Sequence, residues 1–343
     1  MAIWFDESRL DDEAALERAD VRLRVLAEAG ARVRREATEA ADGVAAAVAT
    51  ARDAARPRAI VAAGPDSRLL RAVLEPWCPV PYVAWPGPGL PGWAGGLDLV
   101  VVLAPDGSDR ATAGTVAEAV RRGCQVVVAS PAGSLVADHA EGRWSTIVPT
   151  VTRDQLATAV VVLEYLDQVG LGPRADHRDV ATALDDVAIA CSPHRDLAVN
   201  PAKMLAIALA DTNPIVWGGS SLAARAARRV SESIRSASGR SAIAGDAEHL
   251  LPLIEAVRPR DVFDDPFTEG GAESRPLLLL FDDGADDQVV REDRGRLQAA
   301  AAEHGVRVET VTTEADTEVA RYASLMLNGR YAAEYLRVGL VDD

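Results

Sequence analysis

The residues able to do chemistry in this chain gather in turns that follow apolar runs. Leu99 to Val102 reads as a buried strand, opening into a turn with Pro105, Asp106, Gly107 and Asp109 and then into the helical stretch "TAGTVAEAVRRG". Strand, short polar turn and helix form an arrangement that holds phosphate, because free N–H groups at the helix start point outward. Yet Asp106 and Asp109 stand in this turn, and a carboxylate repels a phosphate dianion. Two more turns carry hydroxyls and glycines after apolar runs, "SPAGSL" (130–135) and "WGGSSLAAR" (217–225). Each can offer hydroxyl and N–H donors to a phosphate or a sugar, or can simply cap the following helix with the same groups. The most concentrated acidic run, "FDDGADD" (281–287), reads either as a divalent-metal site at a sheet edge or as a solvated turn capping the next helix.

Other chemistries lack their patterns. No G-x-G-x-x-G opens a helix after a strand, and "VAAGPDSRLL" has a single glycine followed by Pro65 and Asp66. No G-x-x-x-x-G-K-[ST] occurs, and the one lysine, Lys203, stands in no such context, so neither nucleotide-binding route is indicated. The five histidines (139, 177, 194, 249 and 304) never fall in H-x-x-x-H spacing or beside a cysteine set. The expectation is therefore no bound cofactor and no metal.

Composition narrows the partners. The chain has 343 residues and a formal net charge of -16, which argues against a nucleic-acid partner, since no broad surface would neutralise phosphates. Cys78, Cys124 and Cys191 have no C-x-x-C spacing and fit free thiols in a reducing compartment, with Cys124 packing at the head of a strand. The N-terminal stretch is acidic, without a basic segment leading into an apolar one, and no run is long and apolar enough to span a bilayer. The expectation is a cytoplasmic protein with no membrane partner.

The elements that must position the turns are read from periodicity. A long striped helical pattern follows Asp12, with Gly30 and Gly43 as expected breaks. Strands are then predicted at 58–64, 80–85, 97–104 and 125–130, with helices between them and a long apolar helix over 153–171. The second half repeats the theme, with strands at 214–220, 276–283 and 307–313, a short extended piece before "GDAEHLLPLIEAV", and one or two closing helices. Short apolar strands alternating with helices predict an α/β protein of two domains, each a parallel sheet of about five strands sandwiched by helices. The expected division is 1–152, N-terminal helices plus a first domain, and 153–343, a second domain with the C-terminal helices. One wide continuous sheet is the alternative.

The order of these pieces resembles a known family. "CPVPYVAW", "GLPGWAGGLDLVVVLAPDGSDRAT", "AVRRGCQVVVASPAGSL", "TRDQLATAVVVLEYLDQVGL", "NPAKMLAIALADTNPIVWGG" and "YASLMLNGRYAAEYLRVGLVD" are similar to the sugar-isomerase (SIS) domains of bifunctional phosphoglucose/phosphomannose isomerases, most of all to the actinobacterial, TobH-type branch. The resemblance covers nearly the whole chain and implies two SIS domains. It lays the family's Ser-x-Ser-Gly-x-Thr phosphate turn on Ala104 to Asp109, where Gly107 is kept and the hydroxyls are lost; Ser108 and Thr112 are the nearest replacements. The family's Gly-x-Gly-Gly-Ser turn falls on Ala63 to Ser67 and keeps Ser67. Its Ser-x-Gly-Gly turn falls on Ser130 to Gly133, and a family arginine corresponds to Arg153.

For catalysis the resemblance implies a base that moves a proton between C1 and C2 and a histidine for ring opening. In "GDAEHL" these fall on Asp246 and His249, with Glu248 as the base if the register slips by two. Asp is one methylene shorter than the family's Glu, and a misplacement near 1 Å can cost on the order of a hundredfold. The family's closing catalytic lysine has no counterpart before Asp343.

The reading that follows is a SIS-fold protein that binds a carbohydrate derivative, a sugar phosphate or related sugar, with degenerate catalytic machinery and a sensing or partner-binding role. The alternative is an active aldose–ketose isomerase of a sugar phosphate such as glucose-6-phosphate or mannose-6-phosphate. The resemblance also implies a homodimer, with the 153–171 helix and Tyr331, Tyr335 and Leu336 as candidate contact surface.

Overall fold

The computed structural model describes residues 3–53, 55–257 and 275–342. Strand β1 (Ile3–Phe5) and helix α1 (Glu13–Ala27) begin the chain. They belong with residues 183–343 as one compact unit, while residues 29–182 form the other.

The unit 29–182 opens with α2 (Ala29–Asp53) and continues through β2 (Ile60–Ala63), α3 (Ser67–Leu74), β3 (Tyr82–Trp85), β4 (Leu99–Leu103), α4 (Arg110–Arg121), β5 (Gln125–Ser130), α5 (Leu135–His139), β6 (Ser145–Pro149) and α6 (Gln155–Gln168). Its five strands run in the order β3-β2-β4-β5-β6, every neighbouring pair parallel. All residues of β2 and β4 are buried, as a parallel sheet covered on both faces requires, and this is why these strands read as unbroken apolar runs. One face packs Val100, Val102, Val126 and Val128 with Val116 and Ala119 of α4 and with Cys124. Helix α6 is buried nearly all round, from Leu156 to Leu163 and again at Tyr165 and Leu166.

Helix α7 (His177–Ala190) runs from the end of this unit into the next. There follow α8 (Pro201–Leu209), β7 (Thr212–Gly218), α9 (Ser221–Ser238), β8 (Ile243–Ala244), α10 (Ala247–Glu255), β9 (Arg275–Asp282), α11 (Gln288–Glu303), β10 (Arg307–Thr312), α12 (Glu318–Gly339) and β11 (Leu340–Asp342). The second sheet is also wholly parallel, in the order β10-β9-β7-β8. Leu278 and Leu280 pack with Ile215, Trp217, Leu250, Ile254 and Leu297 on one face. Lys203 is fully buried at the start of α8. Its ammonium donates to Asp11 Oδ1 at 2.6 Å and to the carbonyls of Pro193 and Arg195, both at 2.9 Å, fastening the N-terminal segment to this unit.

The α/β class and the parallel sheets agree with the sequence reading, and several details correct it. The first helical stretch breaks at Glu28 rather than at Gly30. Gly43 stays inside α2 because the helix lies close on β6 there; a Cβ would meet Pro149 Cδ at 2.6 Å. Strand β6 was not expected, since its residues are mostly half-buried and it ends in proline, features tolerated at a sheet edge. The second sheet has four strands, and β1 pairs antiparallel with β11, which no pattern announced. Tyr331, Tyr335 and Leu336, offered above as contact surface, are core: they are 0%, 0% and 1% exposed. Helix α6 is interior as well, so neither supplies a face to a second copy.

Candidate functional site

In a parallel sheet every strand delivers its following turn to the same edge, and ligands gather there. The turns after β2, β4, β5 and β6 therefore lie side by side and are tied together. Gly107 has φ +65°, and a Cβ on it would lie 2.4 Å from Ser134 Cβ and 3.0 Å from Ser130 Oγ. Its carbonyl accepts from Val136 N at 3.0 Å. Ser130 carries on to the last turn, its carbonyl accepting from Thr150 N at 3.2 Å. The side chain of Gln155 hydrogen-bonds Asp66, and Thr112 Oγ1 stands 3.5 Å from where Gly64 would carry a Cβ. Ser67, Gly107, Ser108, Thr112, Ser130, Gly133 and Arg153 thus share one sheet edge, as the sequence reading grouped them.

Sharing an edge is not the same as being available. The Asp109 carboxylate is the N-cap of α4, accepting from Thr112 N at 2.8 Å and from Thr112 Oγ1 at 2.5 Å. The Thr112 hydroxyl, and then its N–H, hold the Asp109 carboxyl below the usual carboxylate range. The negative charge that a helix N-terminus attracts is already supplied by the chain itself. The Ser130 and Ser134 hydroxyls bond each other at 2.7 Å, and Ser134 caps α5 through Ala137 N. Asp106, Ser108 and Gly133 are exposed. Ser67 is buried, and its Oγ has no hydrogen-bond partner among the described residues.

The turn after β6 is shaped by a residue the sequence reading passed over. Glu36 of α2 is fully buried, and its Oε2 accepts from Thr152 N at 2.8 Å and Val151 N at 3.2 Å. Asp154 then caps α6 through Leu156 N and Ala157 N and pairs with Arg32 at 2.8 Å. Between these two fixed points Arg153 takes φ +52°, the only positive φ among the described non-glycine residues. A left-handed residue with a side chain costs on the order of 1 kcal/mol, and such outliers collect at functional sites. Arg153 is exposed and makes no ion pair among the described residues. Thr150, at the head of this turn, is a second buried hydroxyl on this edge without a partner among the described residues. Glu36 lies far away in sequence, and only its place in an otherwise small-residue helical stripe could have signalled it.

In the other unit, Asp246, Glu248 and His249 open α10 after β8, all three exposed. Asp246 is the N-cap residue but makes no side-chain capping bond, and its carboxylate stands 4.0 Å from Arg228. The backbone brings the three together without enclosing them in the low-dielectric surroundings that sharpen a general base. The acids of 281–287 are committed elsewhere. Arg294 grips Asp282 at 2.7 and 2.9 Å, Ser220 hydrogen-bonds Asp283, Asp286 pairs with Arg291, and Asp287 caps α11. This is the capping arrangement, and Ser220 is likewise the N-cap of α9.

Residues 198–339 match the family of the bacterial phospho-glucose isomerase C-terminal SIS domain. The match runs from α8 to the end of α12 and includes Asp246, Glu248 and His249. Over nearly the whole chain the likeness is one of fold. Tagatose-6-phosphate ketose/aldose isomerase from Escherichia coli superposes with a TM-score of 0.66 at 11% identity, covering 90% of this chain and 89% of that one. The C-terminal domain of glucosamine-fructose-6-phosphate aminotransferase from Francisella tularensis gives 0.64 at 10% identity, covering 93% and 96%. The fold is that of SIS phosphosugar isomerases. No curated protein matches the sequence. Among the described residues, no helix is long and apolar enough to cross a membrane.

Proposed function

We propose that this chain is a SIS-fold binding protein for a carbohydrate derivative, a sugar phosphate or related sugar, whose catalytic machinery is degenerate and whose role is sensing or partner binding. The observation that carries this reading is the Asp109 carboxylate on Thr112, a built-in anion on the α4 donors that a phosphate would need. The exposed, loosely held Asp246, Glu248 and His249 support it from the catalytic side. Arg153, exposed and held in a strained turn by Glu36 and Asp154, is the group on this edge suited to an anionic ligand, with Ser108 as a hydroxyl contact. The resemblance of the sequence supports placing the chain with the divergent actinobacterial branch of phosphoglucose/phosphomannose isomerase relatives. If the chain forms a dimer, it does so through surface other than α6 and the C-terminal tyrosines, which are core.

Turnover and binding test the reading separately. The purified chain is assayed for interconversion of glucose-6-phosphate, mannose-6-phosphate and fructose-6-phosphate, and each is titrated by calorimetry with and without Mg²⁺. Binding without turnover is expected, and weaker binding in Arg153→Gly. Isomerisation at ordinary enzymatic rates, about 1 to 1,000 per second, would replace this reading with that of an active aldose–ketose isomerase.

A further inference from the structure

Where α6 meets the start of α7, one imidazole and two carboxylates converge. Glu164 projects from α6, Asp176 precedes α7 and His177 is its first residue. His177 Nδ1 lies 2.6 Å from Glu164 Oε1 and 3.9 Å from Asp176 Oδ1. One donor atom from each of the three lies within 4.8 Å of the others, and all three side chains are half-buried. Asp167, one turn along α6 from Glu164, adds a third carboxylate to the same segment through Ala175 N at 3.1 Å. Among the described residues, no arginine or lysine pairs with Glu164, Asp167 or Asp176. Three carboxylates against one imidazole leave this half-buried corner negative, and a bound cation would neutralise it.

We propose that Glu164, Asp176 and His177 form a binding site for a divalent transition metal of the zinc class. One nitrogen and two carboxylate oxygens match a three-ligand zinc site with an open fourth position. They suit the harder Mg²⁺ less well, since it takes oxygen ligands and keeps much of its water. A tetrahedral site with bonds near 2.0–2.1 Å separates its donor atoms by about 3.3 Å. The observed 2.6 and 3.9 Å bracket that value, so small side-chain rotations admit the ion. To bind the metal, His177 takes the neutral tautomer that carries its one proton on Nε2, which leaves the Nδ1 lone pair free for the ion. The His177 backbone N–H, now 2.6 Å from Glu164 Oε1, can stay on the Glu164 carboxylate. The sequence hid this set because its ligands come from two separated segments and form no zinc-spacing motif.

The test uses the full chain, stripped with chelator and titrated with Zn²⁺ by calorimetry beside His177→Gln and Asp176→Asn. Gln keeps a donor for Glu164, and Asn keeps the cap on Arg178 N (2.8 Å), so both variants should fold with unchanged metal-free melting. The wild type is expected to take up one Zn²⁺ per chain and to melt at a higher temperature with it. Each variant should bind at least roughly tenfold more weakly, and Mg²⁺ should give no comparable signal. Absence of saturable Zn²⁺ uptake by the wild type, or equal uptake by wild type and both variants, would overturn the proposal and leave the cluster as a hydrogen-bonded helix cap.

Discussion

Asp109 shows how one side chain changes what a turn can do. A carboxylate that caps a helix from inside competes with any phosphate for the same donors and the same end of the dipole. Its folded pKa is lowered by the Thr112 hydroxyl and N–H. The stability it contributes is therefore complete above an unfolded pKa of about 4 and is lost as the pH falls through the lower folded value. Asp109→Thr keeps a capping hydroxyl but no charge, so the melting temperature of this variant should fall less steeply than that of the wild type as the pH drops below about 4; parallel acid limbs would contradict this role. Gly107 is fixed for a different reason. Its positive φ and its approach to Ser134 leave no place for a methyl group. Gly107→Ala should destabilise the chain by about 1–3 kcal/mol in urea unfolding, and an unchanged midpoint would mean that the two turns separate easily.

At the scale of elements, buried polar groups fasten segments that are distant in sequence. Glu36 holds the turn after β6 by two backbone N–H groups, and Thr158 Oγ1 stands 3.4 Å from its other oxygen. Glu36→Leu leaves those donors unpaired and should cost about 2–4 kcal/mol, measured by urea unfolding; the same variant should weaken any anion binding that depends on Arg153. Lys203→Met should cost somewhat less, about 1–3 kcal/mol, because the part-buried carbonyls of Pro193 and Arg195 lose a charged donor but can be rehydrated in part. Half-exposed Asp11 is rehydrated and adds little. How legible such features are depends on where their signal lies. Strands β4 and β5 could be read because burial on both faces demands unbroken apolar runs, and the 153–171 helix because it is apolar throughout. The edge strand β6 is half-buried and lacks that mark. The β1–β11 pair joins opposite ends of the chain, a partnership no local pattern encodes. At the site, residue types located the turn at 104–109, but they could not say that Asp109 would turn inward onto Thr112. Glu36 and the Glu164–Asp176–His177 group stayed hidden because their partners come from separate segments.

At the scale of the whole molecule, two parallel sheets each present their turns along one edge, and the two edges differ in chemistry. The edge of the unit 29–182 gathers glycines, hydroxyls, Arg153 and a self-supplied carboxylate, whereas that of the second sheet holds paired acids and an exposed Asp246–His249 segment. The binding role proposed above needs only the first. The most direct measurement is a calorimetric titration of wild type and the Asp106→Ser, Asp109→Thr double variant with glucose-6-phosphate at low salt, where screening is least. Weak binding by the wild type without metal is expected, and tighter binding by the double variant, by roughly tenfold, as two like charges leave the phosphate's vicinity. Tight metal-free binding by the wild type, or no gain in the double variant, would contradict this expectation.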